Sequence, residues 1–184
     1  MADYSSPTVI QQTIPEADMT ELEKTVLLEI FQYEEDGNGF YLFHEESPQD
    51  LITIEPEDYE RLLAIKDDGF SSLRTWLLEN RPVGETDPTE LDMSDYSYEY
   101  ILQDIVKRSK SLDYITVVTG WTCSKMRSDG FGGMASFITA DEIKCHSTTQ
   151  FLEDCMAEFE KDASPEKKQC TAEGKMPPET KATG

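Results

Sequence analysis

The sequence predicts an α+β fold: a small, mostly antiparallel sheet centred on a β-hairpin over residues 114–139 and packed by about five helices. Two β-branched, apolar runs joined by a loop carrying Asp129-Gly130 and Gly132-Gly133 predict the hairpin. Stretches with apolar residues at three- and four-residue spacing predict the helices. With 38 % hydrophobic and 10 % aromatic residues, the 184-residue chain has enough apolar material for one real core.

Residues 1–18 are polar, with Pro7 and Pro15, and read as an extended N-terminal arm with a short strand at Thr8–Ile10. Thr20-Glu21-Leu22-Glu23 is a capping box, Thr at N-cap and Glu at N3. The helix it opens turns Leu22, Val26, Leu27, Ile30 and Phe31 to one side and is ended by residues 34–39. Short strands are expected at 40–44 and Leu51–Ile54. Pro56 with Glu57 and Asp58 starts a second helix, where proline and acids are favourable. A third is expected over 70–78, then a loop over 81–95. A fourth, capped by Ser94 or Asp95, runs through Arg108 with Tyr98, Ile101, Leu102, Ile105 and Val106 inward.

In the hairpin, Ile115, Val117, Thr119, Trp121 and Cys123 alternate onto one face of the first strand. The second strand sets Ala135, Phe137 and Thr139 opposite to Met134, Ser136 and Ile138. Ser147-Thr148-Thr149-Gln150 opens a last helix whose Phe151, Leu152, Cys155, Met156 and Phe159 share a face. Residues 162–184 are rich in Lys, Glu, Pro, Thr and Gly and read as a disordered tail. A single domain over 19–161 is the expected organisation.

Charge is the functional signal. The net charge is −22, and residues 1–100 carry 25 acids against five Lys or Arg, a balance of −20. An acidic 19–100 thus precedes a near-neutral 101–161. Such a chain is repelled by nucleic acid and by anionic lipid, which excludes both as direct partners and favours a basic protein surface. No apolar run is long enough to span a membrane, residues 1–10 lack a secretory signal, and four scattered cysteines imply a reducing cytoplasm. Cys123 and Cys155 read as small buried hydrophobes.

The carboxylates come in clusters: Glu34, Glu35 and Asp36; Glu45 and Glu46; Glu55, Glu57, Asp58 and Glu60; Asp67 and Asp68. Any one cluster is explained by a solvated surface; the whole set, with so few bases interspersed, is not. Carboxylates at i and i+3 or i+4 of a helix stand about 5–6 Å apart, and at i and i+2 of a strand about 6.6 Å. Those separations resemble the phosphate spacing of a nucleic-acid backbone. The expectation is a non-enzymatic binding protein that presents this array to a nucleic-acid-binding protein.

Two alternatives stay open. One is an interaction module using the hairpin surface, with Phe131 and Met134 at the tip. The other is a single EF-hand-like calcium loop, since Glu34, Asp36, Asn38, Gly39 and Glu45 follow the calcium-loop spacing. Zinc spacing, a P-loop lysine and a nucleophile elbow are all absent, so no cofactor or catalytic residue is assigned. Lys107, Arg108, Lys110, Lys125 and Arg127 are expected to pair with the protein's own acidic half or with that of a second copy.

Residues 119–142, TGWTCSKMRSDGFGGMASFITADE, resemble a block of small uncharacterised proteins of phages, plasmids and other mobile elements. That resemblance implies a bacterial or phage setting, where acidic inhibitors of restriction or CRISPR systems recur.

Overall fold

A computed structural model describes residues 2–65, 69–80 and 89–163. Its elements, in chain order, are β1 (Tyr4–Ser5), β2 (Thr8–Ile10), β3 (Ile14–Pro15), a 3-10 turn (Glu16–Asp18), α1 (Glu21–Ile30), β4 (Gln32–Asp36), β5 (Gly39–His44) and β6 (Leu51–Ile54). Then follow α2 (Pro56–Ala64), α3 (Ser72–Glu79), β7 (Thr89–Asp92), α4 (Tyr98–Arg108), β8 (Tyr114–Cys123), β9 (Gly132–Thr139), β10 (Ile143–Ser147) and α5 (Thr148–Ala163). The fold is α+β with a mostly antiparallel sheet, as the pattern predicts.

The 114–139 hairpin forms with Tyr114 opposite Thr139 and Trp121 opposite Gly132, and β10 adds beside β9. Its inner face is the expected one: Ile115, Val117 and Ile138 are buried against Ile101, Leu102 and Ile105 of α4. Gly133 is required by its partner strand, because a Cβ there would lie 2.8 Å from the Thr119 carbonyl oxygen.

The first eighteen residues do not stand apart from the sheet. The expected strand at Thr8–Ile10 forms, but it lies between β8 and β5, pairing Val9 with both Val118 and Phe43. β1 continues it along β8 and β3 along β5. Ile10 and Ile14 are fully buried, and the Thr8 and Thr119 hydroxyls bond each other at 3.0 Å inside the core. The polar Gln12 side chain accepts the Thr116 N–H at 2.6 Å, so its amide replaces a ladder bond.

Four further segments differ from expectation. Residues 34–36 do not end a helix: α1 stops at Ile30, and 32–36 run back as an edge strand on β5. Asp36 faces Gly39 across a turn of Gly37 and Asn38, with Gly37 at φ 62°, the conformation that a glycine-first hairpin turn requires. Residues 89–92 are not loop but pair with 51–54 as a second, two-stranded sheet. α3 begins at Ser72, leaving Phe70 exposed, and α4 begins at Tyr98 behind Ser97 rather than at Ser94 or Asp95.

The capping box at Thr20 forms in both directions. The chain divides into two compact units, Met1–Ser147 and Thr148–Gly184. In the second, α5 exposes Phe151, Leu152, Met156 and Phe159 along with Cys155, which is not the buried hydrophobe expected, whereas Cys123 is buried. The tail expected from 162 lies outside the described residues from 164 onward.

Truncating Ile10 tests the central position of the first strand. Ile10→Ala should lower the urea-unfolding free energy by about 2–5 kcal/mol, the core-cavity range; a residue on a loose arm would change it by less than about 0.5 kcal/mol.

Candidate acidic binding surface

Helix α1 runs directly into β4 and also contacts α2 and β6, so it adjoins the acidic elements of the N-terminal half. On β4 all five residues are exposed. Alternation along the strand puts Glu34 and Asp36 on the face shared with Tyr41, and Glu35 on the opposite face with Tyr33. Asp36 accepts a bond from the Thr13 hydroxyl at 2.6 Å. Glu35 borders an open cavity of about 600 Å³ with Glu16, Lys24, Asn38 and Phe40. Lys24 pairs there with Glu16 and sits 5.0 Å from the centre of the Phe40 ring.

Glu45 and Glu46 lie at the other end of the same hairpin. The Glu45 N–H donates to the Gln32 side chain at 3.1 Å, and the Glu46 and Ser47 N–H groups donate to His44 Nδ1. His44 therefore holds a turn.

On α2, Glu57 and Asp58 occupy the first turn, where the helix dipole favours them. Asp58 is occupied by Arg61, which also reaches Glu21 at 3.1 Å. These two carboxylates raise the Arg61 pKa above its ordinary value, Glu21 most of all. Glu55 and Glu60 are exposed beside them. Asp67 and Asp68 lie outside the described residues.

The calcium-loop reading is overturned by this hairpin. An EF-hand wraps its ligands round one ion; here Asp36 and Glu34 are paired in a strand, and Glu45 lies six residues beyond the Gly39 turn, roughly 20 Å along the chain. Among the described residues no three His, Cys, Asp or Glu side chains converge on a metal site.

Three surface acids that clustering along the sequence did not single out join the array through the fold: Glu16, Glu21 and Glu29 are exposed on the 3-10 turn and α1. No local pattern marks them, since Glu16, Glu21 and Glu29 stand five and eight residues apart in the sequence.

Two other carboxylates are taken inward. Glu23 is fully buried and pairs with Arg108, so this one of the expected bases answers the acidic half, whereas Lys107 pairs with Asp104 on its own helix; the second oxygen of Glu23, Oε1, has no partner. Asp104 is 1 % exposed as a side chain and is bonded by the Ser72 N–H at 2.7 Å, by the Ser72 hydroxyl and by Lys107 at 2.9 Å. Burial pushes the Asp104 carboxyl up, but the Ser72 bonds and the Lys107 charge outweigh it and hold the pKa below the usual carboxylate value. Tyr96, bonded to Ser72 at 2.7 Å, is pushed up to about 12, chiefly by burial.

Comparisons with family models, with curated proteins and with solved structures return no match. No helix among the described residues is long and apolar enough to cross a membrane.

The depressed Asp104 pKa carries a sign. A carboxyl more acidic folded than unfolded stabilises above its unfolded pKa, about 3.9, and that stabilisation is lost as pH falls through the folded value. Asp104→Asn should cost about 1.5–3 kcal/mol at pH 7, with a smaller difference from the unsubstituted protein in urea melts at pH 3 than at pH 7.

Proposed function

We propose that this chain is a non-enzymatic inhibitor that presents its acidic surface to the nucleic-acid-binding surface of another protein. The observation that carries this reading is the contact of α1 with both β4 and α2, which places Glu34, Glu35, Glu21, Glu29 and Glu57 on adjoining elements. Within 19–64 only Lys24 and Arg61 offer opposite charge, and both are engaged in ion pairs. Two carboxylates about 10 Å apart repel by roughly 0.4 kcal/mol in water, so a crowded array holds repulsion that a basic partner relieves on binding. Glu34 and Asp36, two apart on a strand face, stand about 6.6 Å from each other, close to a phosphate repeat. The partner class is a cytoplasmic defence protein, CRISPR or restriction, or another DNA-handling protein. The resemblance of 119–142 to mobile-element proteins supports that setting.

A second reading is favoured by the β8–β9 loop, where Met126 is 91 % and Phe131 49 % exposed in the stretch from Lys125 to Phe131 on a hairpin tip. In that reading the tip makes the contact and the acids keep the protein dispersed.

One experiment separates them: capture of bacterial lysate proteins on the immobilised chain, eluted by salt or by duplex DNA. Acidic mimicry predicts a retained nucleic-acid-binding protein that DNA displaces, and more than about tenfold weaker binding for the E34K/E35K/D36K/E57K/D58K variant. Retention that survives high salt, ignores DNA and is lost on F131A would instead assign the contact to the hairpin.

A further inference from the structure

Beyond its acidic surface, the molecule has an outward sheet face of a different character. Cross-strand neighbours Ala135, Val118, Val9 and Phe43 form one continuous row over β9, β8, β2 and β5. Beside it Phe137 stacks on Tyr114, with ring centres 5.1 Å apart. Val118 is 40 %, Phe137 42 % and Tyr114 45 % exposed, high values for large apolar side chains in the middle of a sheet. In a chain with 38 acids, the outward residues of β8, β9 and β2 include no carboxylate. Charge returns only at the two edges: Lys144 on β10, opposite Phe137, and Glu34 and Asp36 on β4, opposite Tyr41 and Gly39. Asp141 and Glu142 belong to the β9–β10 turn, past the end of these rows, where Glu142 pairs with Lys144 at 2.7 Å; an exposed pair of this kind exchanges readily.

We infer that this face binds a second copy of the same chain, sheet against sheet. A two-fold axis parallel to the strands lays β10 of one copy over β4 of the other, twice, so Lys144 meets Glu34 and Asp36 at both rims, and a basic partner of the acidic surface competes with the second copy for these two carboxylates. A two-fold axis across the strands would stack like edges on each other and is disfavoured. Six strands at about 4.8 Å spacing make a face about 24 Å wide, and β8 is about 33 Å long. The edge strands β4 and β10 are shorter, about 17 Å, so the footprint falls below the roughly 800 Å² that each partner of a standard interface contributes and suits a weaker, concentration-dependent dimer. Two chains of charge −22 repel, and this carboxylate-free centre is where they can approach. Salt therefore favours the dimer by screening the net charge, opposite to its effect on a basic partner.

Sedimentation velocity of the full chain tests this. A species of twice 20.9 kDa is expected at micromolar concentration, held equally or more tightly as salt rises. V118E/F137E, at exposed positions that leave the core intact, should weaken it more than tenfold with an unchanged circular dichroism spectrum. K144E and E34K should each weaken it, and the double variant K144E/E34K should restore it. A monomer at every concentration overturns the proposal, as does a dimer indifferent to V118E/F137E or one lost instead by changing Leu152 and Phe159 of α5. Failure of the charge swap to restore the dimer overturns the strand-parallel arrangement.

Discussion

The sheet depends on one strand that is easily mistaken for a tail. β8 and β9 form one hairpin and β4 and β5 another, and among the described residues only 4–15 join the two by backbone hydrogen bonds. This strand supplies Ile10 and Ile14 to the core beneath both hairpins. The near edge of the second hairpin fits it closely: a Cβ on Gly39 would fall 2.3 Å from the Ile14 carbonyl oxygen. A hairpin alone is marginal in water, and a sheet with one apolar face packed on helices is not. Joining the two hairpins turns marginal pieces into a single layer on which α1 and α4 can pack.

Electrostatics divides the same molecule into two kinds of carboxylate. Glu23 and Asp104 are drawn inward and tie α1 and α3 to α4, Glu23 through Arg108 and Asp104 through Ser72. Removing either partner of such a buried pair strands the other, which is why these contacts fix the fold more than they add to its net stability. The outward acids of β4 and α2 do the reverse. They add nothing to packing, and along β4 they also discourage edge-to-edge pairing with other sheets. The acidic half is thus anchored by a few compensated charges and displays many uncompensated ones.

What was legible in the sequence follows from how local each signal is. The β8–β9 hairpin announces itself through alternation and a glycine-bearing loop, and α1 through a capping box that closes within four residues. The central strand was legible at Thr8–Ile10, but its place between the two hairpins was not, because Gln11, Gln12 and Thr13 interrupt its apolar pattern and its pairing partners lie far away in sequence. Gln12 looks like loop material until Thr116 is seen beside it. β4 is hidden for a different reason: QYEED has a poor strand composition, and only the Gly37-Asn38 turn and the apolar β5 impose the extended form. The acidic clusters were readable as composition, but not the role of α1 in joining them, nor that Asp58 is already engaged by Arg61.

The placement of that first strand also sets an order of events in time. Thr8 pairs with Thr119, so the centre of the sheet cannot close until more than a hundred further residues have been made. At ordinary synthesis rates of about 5–20 residues per second, the strand waits some 5–20 s for its partner. Pairings so distant in sequence are slow to form even in the finished chain, since a long loop must close before any contact rewards it. During that interval the uncharged strand is exposed together with the acidic β4–β5 hairpin, whose charges repel those of other nascent chains and oppose pairing between them.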